Sequence, residues 1–280
     1  MDKGIFTALS GGIAKAHQLE IIANNLANVD TPAFKRDTAT FNEYLPELRR
    51  PDTVEALDRE IKSQTMFDGR PPGDKSFVEL DGIYSDFQQG TLKRTGRTTD
   101  LALEGKGFFE VLGPEGDVIF TRQGNLKISE DGVLVTANGL PVLSANYERT
   151  PEDRIIRIRD VLSPEQRTVD VAEQRLQFSS DGVISQGEIQ LNTLAIREFH
   201  EPQYLEKVGN AYFRNTDERN LKEGSQGTRL HQGAIESSNV NPLREMTLLI
   251  EASRAYEAQL QAIKTFNDID GKTANEIARG

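Results

Sequence analysis

The two ends of the chain carry helical patterns of apolar and small residues, which constrain the fold more than any other feature. At the N-terminal end these residues recur at alternating spacings of four and three, the spacing that aligns side chains along one face of an α-helix. The N-terminal seam comprises Ile5, Leu9, Gly12, Ala16, Leu19, Ala23 and Leu26. We predict a helix over residues 3–28, stopped before Pro32 because the residue preceding a proline disfavours the helical region.

A second helical pattern occupies the C-terminal end. Asn241 and Pro242 predict a helix start, because asparagine caps helix N-termini and proline is tolerated in the first turn. If this helix runs to about residue 269, it is roughly 40 Å long at 1.5 Å per residue. The C-terminal seam comprises Met246, Leu249, Ser253, Tyr256, Leu260, Ile263 and Asn267.

Two interpretations of these helices are open from the residues alone. The helices could pack on a central domain, as amphipathic surface helices commonly do. Alternatively, they could pair with each other and with copies from other chains. Further apolar residues flank the C-terminal seam, so the apolar surface is broader than one partner helix would cover. Small residues in the N-terminal seam would also let another helix approach closely.

The middle of the chain changes to short apolar segments separated by turn residues. Asp-Gly and Asn-Gly turns and glycine-broken strands recur over roughly residues 80–225, which is typical of an all-β module. We therefore predict an α+β chain, with long terminal helices forming a coiled-coil-like domain and an all-β domain inserted between them. The predicted domains are residues 1–36 with 238–280, an irregular connector over 37–80 with at most a short helix around 53–61, and a β-rich domain over 81–237.

The composition excludes several functional classes. The 280 residues have a net charge of −11 and no cysteine, which argues against a general nucleic-acid binder and removes disulfides and thiolate chemistry. No apolar stretch is long enough to span a bilayer, and the first 30 residues lack the pattern of a cleaved secretion signal. The three histidines have no zinc-ligand spacing. We expect no catalysis, no metal and no cofactor.

Three segments resemble the bacterial flagellar rod and hook proteins. The first is IIANNLANVDTPAFK at residues 21–35, and the second is DLALEGKGFF at 100–109, followed by FTRQG at 120–124. The third is QGAIESSNVNP at residues 232–242, which runs into EASRAYEA at 251–258. Within this family the opening residues are most similar to the proximal rod protein, with the distal rod protein as the near alternative. Ala33 stands where the family commonly has glycine.

The resemblance implies a structural subunit of the flagellar basal-body rod that assembles helically and transmits torque from motor to hook. Its partners would be copies of itself and other rod and hook axial proteins. It would be exported by the flagellar type III apparatus into the periplasm without a cleaved signal. A distal rod or hook-type subunit is the alternative within the family, and a soluble periplasmic binding module is the alternative from a different class.

For the rod subunit we predict an assembly interface along both helices. Asn24, Asn25 and Asn28 are expected either to satisfy helix-end and inter-subunit backbone groups or simply to cap the first helix. The predicted interface residues are Ile5, Leu9, Leu19, Asn24, Asn25, Leu26, Asn28, Met246, Leu249, Tyr256, Leu260 and Ile263.

Overall fold

A long helix lies at each end of the protein, and short antiparallel strands lie between them. The computed structural model describes residues 2–44, 77–158, 176–187, 189–209, 211–222, 224 and 227–277. Helix α1 spans Asp2–Ala27 and helix α2 spans Pro242–Ile277. The prediction of an α+β chain with N- and C-terminal helices is confirmed. Within the described residues, neither helix has a segment apolar enough to serve as a membrane span.

Helix α2 continues beyond its predicted end near residue 269. The residues that follow are mostly compatible with a helix, and Gly271 costs only about 1 kcal/mol relative to alanine in a helix interior. Helix α1 ends at Ala27, five residues before Pro32, as the proline rule predicted.

The strands are short and their bounds follow the glycine-rich turns of the sequence. In chain order they are β1 Asp37–Tyr44, β2 Phe77–Ser85, β3 Leu92–Arg94, β4 Leu101–Glu104, β5 Phe108–Leu112, β6 Val118–Thr121, β7 Lys127–Ile128, β8 Leu134–Val135, β9 Leu176–Phe178, β10 Val183–Gln186, β11 Ile189–Thr193, β12 Ile196–Arg197, β13 Glu206–Lys207, β14 Tyr212–Arg214, β15 Arg229–Gln232 and β16 Ala234–Glu236.

These strands form several small sheets instead of one large sheet. The largest has five strands in the order β12-β5-β6-β14-β13, and a second has three strands in the order β11-β10-β9. The remaining pairs are β1-β2, β15-β4, β16-β3 and β7-β8. The pairs β15-β4 and β16-β3 join strands from early in the β-rich segment to strands just before α2, so this segment closes on itself.

The ends of the predicted irregular connector are strands. Residues 37–44 and 77–80 belong to β1 and β2, where the sequence predicted irregular structure. β1 contains Thr38, Thr40 and Phe41, which favour strands, but the acidic residues among them obscured this preference. The short helix predicted around 53–61 lies outside the described residues.

Two segments of the β-rich region pair only over a few residues. Within 194–199, Ile196–Arg197 forms strand β12, and Leu194 and Phe199 each make a single bridge. Ile156 and Ile158 are buried and Arg157 is exposed, and the described part of this segment makes isolated bridges at Ile155 and Arg157.

The chain divides into two compact units. The terminal-helix unit comprises Met1–Ala23, Ala39–Ile83 and Met246–Gly280, and the β-rich unit comprises Asn24–Thr38 and Tyr84–Glu245. In the terminal-helix unit, α1 and α2 lie side by side: a Cβ placed on Gly11 would be 3.4 Å from Nε2 of Gln259. Ala14, Ile22 and Ala252 are the buried apolar residues described on these two helices.

The β-rich unit has two apolar clusters. The larger is mostly aliphatic and includes Leu101, Leu103, Leu126, Leu134 and Ile184, all completely buried. The smaller is aromatic, and its rings meet mostly edge to face, the arrangement that aromatic quadrupoles favour. The aromatic cluster comprises Phe108, Phe120, Phe199, Leu205 and Phe213, with Phe87 packed against it.

We predict that Phe213→Ala lowers the free energy of unfolding by about 3–5 kcal/mol, because it removes a completely buried ring from a packed cluster. Tyr204→Ala is the matched control, since this aromatic residue of the same unit is 66% exposed and should change stability by less than about 0.5 kcal/mol. Urea unfolding followed by circular dichroism measures both values. If both substitutions lowered the free energy of unfolding equally, Phe213 would not belong to a buried aromatic cluster.

Candidate assembly interface

Helix α1 ends in a turn that contains a residue with a strained backbone conformation. The side-chain Nδ2 of Asn28 donates to the carbonyl oxygen of Asn24 at 2.9 Å, and this bond satisfies a carbonyl at the helix end. Ala33 then adopts φ +58°, and among the described residues it is the only one besides glycines with a positive φ. This left-handed conformation costs roughly 1–2 kcal/mol for a residue with a Cβ. The turn places Phe34 and Lys35 completely inside the β-rich unit.

Lys35 forms a buried ion pair with a residue near the other end of the chain. Its Nζ lies 2.6 Å from Oε1 of Glu236, and both side chains are fully buried. The same ammonium donates to the carbonyl oxygen of Gln88 at 2.8 Å. The other carboxylate oxygen of Glu236 lies 3.2 Å from Nη1 of Arg122. Residues from three distant parts of the sequence thus meet at one carboxylate.

The buried environment of Lys35 disfavours the charged form of its side chain. Burial lowers the pKa of the Lys35 ammonium below its usual value; the Glu236 carboxylate opposes this shift, and the Arg122 guanidinium adds to it. The fall in pKa means that desolvation outweighs the attraction to Glu236. A buried pair of this kind contributes little net stability but is strongly destabilising when one partner is removed.

Asn239 and Glu245 bind the neighbouring backbone and side chain of Arg36. Oδ1 of Asn239 accepts from the backbone N–H of Arg36 at 2.8 Å, and Nδ2 of Asn239 donates to the carbonyl oxygen of Asp86 at 2.8 Å. Oε1 of Glu245 lies 2.5 Å from Nε of Arg36. Glu245 is in the first turn of α2, where a carboxylate is also favoured by the helix dipole.

Asn25 and Asp37 complete this network. The side-chain amide of Asn25 exchanges two hydrogen bonds of 2.8 Å with the backbone of Asp37. The Asp37 carboxylate accepts from Oγ of Ser85 and from Nζ of Lys207, each at 2.6 Å. Nζ of Lys207 also lies 4.2 Å from the centre of the Phe34 ring. We call the set Asn25, Lys35, Arg36, Asp37, Glu236, Asn239 and Glu245 the junction network.

The predicted interface residues divide between buried and exposed positions. Asn25 and Asn28 are buried and bond within the chain, whereas Asn24 is exposed. Leu19, Leu26, Leu249, Tyr256 and Ile263 are partly buried. The side chain of Ile5 lies outside the described residues. The exposed apolar residues of the predicted interface are Leu9 at 45%, Met246 at 44% and Leu260 at 47%.

Within the terminal-helix unit, α1 and α2 enclose an open groove of about 510 Å³. It brings together three of the predicted seam residues, Leu19, Leu249 and Ser253. The groove is lined by Leu19, Leu249, Ile250, Ser253, Arg254 and Glu257.

Sequence reasoning missed the ionic part of the junction network. Lys35 and Glu236 are 201 positions apart, and no local pattern indicates that they meet. The sequence offered one indication that these two residues matter, because each lies in a segment that resembles the rod and hook proteins. Among the described residues, no group of three or more acidic or histidine side chains is arranged to hold a metal ion.

Comparison with known proteins agrees with this architecture. The model of flagella basal body rod proteins matches residues 5–35, and that of the flagellar hook protein FlgE/F/G D1 domain matches 102–186. The model of the flagellar basal body rod FlgEFG protein C-terminal region matches residues 231–276. The helical ends and the β-rich middle therefore define a protein of the flagellar rod and hook class.

Full-length relatives make the assignment narrower. The flagellar basal-body rod protein FlgG of Borreliella burgdorferi is 30% identical over 292 residues, which cover 100% of both chains. FlgF of Caulobacter vibrioides is 30% identical over 92% of this chain and 91% of its own, and FlgG of Buchnera aphidicola subsp. Acyrthosiphon pisum is 31% identical over 95% and 96%. The chain belongs to the flagellar basal-body rod protein family.

This membership confirms the family suggested by the sequence. The family consists of structural rod and hook proteins, so the prediction that the chain is not an enzyme is also confirmed. Relatives with two different names, FlgG and FlgF, match at the same 30% identity. The position of the chain along the rod therefore stays a prediction.

We predict that Lys35→Met lowers the free energy of unfolding by about 3 kcal/mol, because it leaves the buried Glu236 carboxylate with Arg122 as its only cation. Lys93→Met, at an exposed position on β3, is the matched control and should change stability by less than about 0.5 kcal/mol. Urea unfolding gives both values. If the two variants were equally stable, the buried pair would not be the constraint inferred above.

We predict that Ala33→Gly changes stability by less than about 1 kcal/mol in either direction. Glycine relieves the positive-φ strain of roughly 1–2 kcal/mol. Two losses of stability offset this gain. Glycine removes a buried methyl group worth about 0.8 kcal/mol, and it raises the entropy of the unfolded chain, which costs about 0.5–1 kcal/mol. Ala33→Val should instead destabilise by more than about 2 kcal/mol, because a β-branched residue is an outlier at positive φ. Thermal unfolding distinguishes these outcomes, and a harmless valine would contradict them.

Proposed function

We propose that this chain is a structural subunit of the flagellar basal-body rod, which assembles helically with copies of itself and with other rod and hook axial proteins. The observation that carries the proposal is the exposed apolar surface of the two terminal helices. Leu9, Met246 and Leu260 are each nearly half exposed, on helices whose seams are mostly apolar or small. Such a surface is unfavourable in water and becomes favourable when neighbouring subunits cover it.

In this proposal residues 1–36 and 238–280 act as a discontinuous, coiled-coil-like assembly domain, and residues 81–237 act as the inserted β-rich domain. The presence of residues 1–23 and 246–280 in one compact unit supports the pairing of the two helices in this domain. In the assembled rod, the terminal helices form the inner tube. The assembly interface comprises the twelve interface residues predicted from the sequence, and Asn24 is the exposed polar residue among them.

Torque transmission sets the physical requirement on this interface. A rod that turns must resist shear between its subunits. Long helices supply many parallel apolar contacts, because each residue adds about 1.5 Å of helix axis along which a neighbouring helix can pack. Helix α2 has 36 residues and α1 has 26, so each subunit contributes a long contact surface. The proximal rod is our preferred position, and a distal rod or hook-type subunit is the alternative.

Export through the flagellar type III apparatus into the periplasm is part of the proposal. A chain that passes through a narrow channel must be threaded unfolded, and covalent cross-links would prevent this. The absence of cysteine from all 280 residues supports such a route.

A soluble binding module is the competing function. It requires a concave site with convergent polar groups. The groove between α1 and α2 is open, and Leu19, Leu249 and Ile250 line it; Arg254 and Glu257 are the charged residues among the described ones that line it. Its lining suits a helix better than a small polar ligand.

We predict that Leu260→Asp abolishes swimming while the β-rich unit stays folded, because a carboxylate would be buried at the subunit interface. The measurement is motility of a strain whose own copy is replaced by the variant, together with circular dichroism of the purified chain. Gln261→Asp is the matched control, since it introduces the same carboxylate one residue away at an exposed polar position. Normal swimming with Leu260→Asp would remove Leu260 from the interface.

A further inference from the structure

The α1–α2 groove is built to receive an uncharged apolar segment. Leu19, Leu249 and Ile250 give it an aliphatic lining, and the two charged residues that line it, Arg254 and Glu257, are exposed. They are opposite in sign and three positions apart on α2, and neither forms an ion pair with any residue in the described ranges. A strongly charged ligand would therefore find no net charge to complement it.

The same chain carries a segment with the complementary properties. Leu9 and Ile13 lie four positions apart on α1, so their side chains form one ridge. They are 45% and 52% exposed. The ridge points away from the chain's own α2, because the adjacent Gly12 and Ala14 are buried and Gly11 and Gly12 face Gln259. Residues 4–14 contain no charged side chain.

Other exposed apolar positions on these helices fit the groove less well. Ile250 lines the groove itself. Met246 is the immediate neighbour of Glu245, Leu243 is next to Arg244, and Ile269 lies between Asp268 and Asp270. Leu260 is 47% exposed, but Glu257 and Lys264 lie three and four positions away on the same face of α2. Placing any of these charged groups against an aliphatic lining would cost desolvation free energy. The Leu9–Ile13 ridge is free of this cost.

We infer that the α1–α2 groove of one copy receives the Leu9–Ile13 ridge of a second copy of this chain. The inference rests on the proposed rod function and adds which surfaces meet. The ridge and the groove are different surfaces of the same molecule, so the contact is heterologous. Heterologous contacts that do not close into a ring produce open helical assemblies. The contact therefore gives the growing assembly two distinct ends, one offering ridges and the other grooves.

Disulfide cross-linking tests this contact, and the absence of native cysteine makes each introduced thiol unique. One variant is Ile13→Cys, and the other is Ser253→Cys, whose side chain lines the groove. A disulfide forms only when the two Cα atoms come within about 7 Å. The two full-length variants are mixed in equal amounts, allowed to assemble and then mildly oxidised. We expect covalent dimers from the mixture and only monomers from either variant alone, on a non-reducing denaturing gel.

The control replaces Ser253→Cys with Gln261→Cys, an exposed α2 position outside the groove lining. Dimers of Ile13→Cys alone would mean that the ridge packs on itself, and equal dimer yields with Gln261→Cys would mean non-specific contact. Either result overturns the inference. Sedimentation and electron microscopy of each sample before oxidation report assembly separately. Assembly without dimers in the mixture overturns only this contact, whereas failure of the unmodified chain to assemble overturns the proposed function and the contact with it.

Discussion

The buried ion pair between Lys35 and Glu236 is the constraint on which the β-rich unit depends. It joins the segment after α1 to the strand β16, which ends just before α2 begins. Arg122 and the carbonyl oxygen of Gln88 bring two further segments to the same point. Because the lowered pKa of Lys35 reflects a net desolvation cost, the pair fixes geometry more than it adds stability. Satisfying it requires these four segments to meet in one arrangement.

Several features of the neighbouring residues follow from this requirement. Ala33 accepts a strained left-handed conformation, and that turn directs Phe34 and Lys35 into the interior. Asn239 and Glu245 then bind Arg36, so the start of α2 is tied to the residues that follow α1. The segments next to the two helices are thus joined by hydrogen bonds and ion pairs within the β-rich unit. The helices keep exposed apolar residues such as Leu9 and Leu260.

How far the sequence could predict this protein depended on the range of each interaction. The helices, their N-terminal boundaries and many β strands were predicted, because periodicity, proline and Asp-Gly turns act within a few residues. The strand at 37–44 was missed because its threonines and phenylalanine stand among acidic residues. The junction network was missed because Lys35 and Glu236 are 201 positions apart, and pattern reasoning cannot link one lysine to one glutamate among 44 acidic residues.

The interface shows the same division. The spacing predicted Leu9, Leu19, Leu249 and Leu260 alike as interface residues. In the structure their positions differ: Leu19 and Leu249 line a groove, whereas Leu9 and Leu260 are exposed. By itself the sequence determined the two helices, many of the strands and the family, since these are recorded in local patterns. Only the tertiary structure decided which charges are buried together and which apolar residues are left for a partner, because burial depends on segments that are distant along the chain.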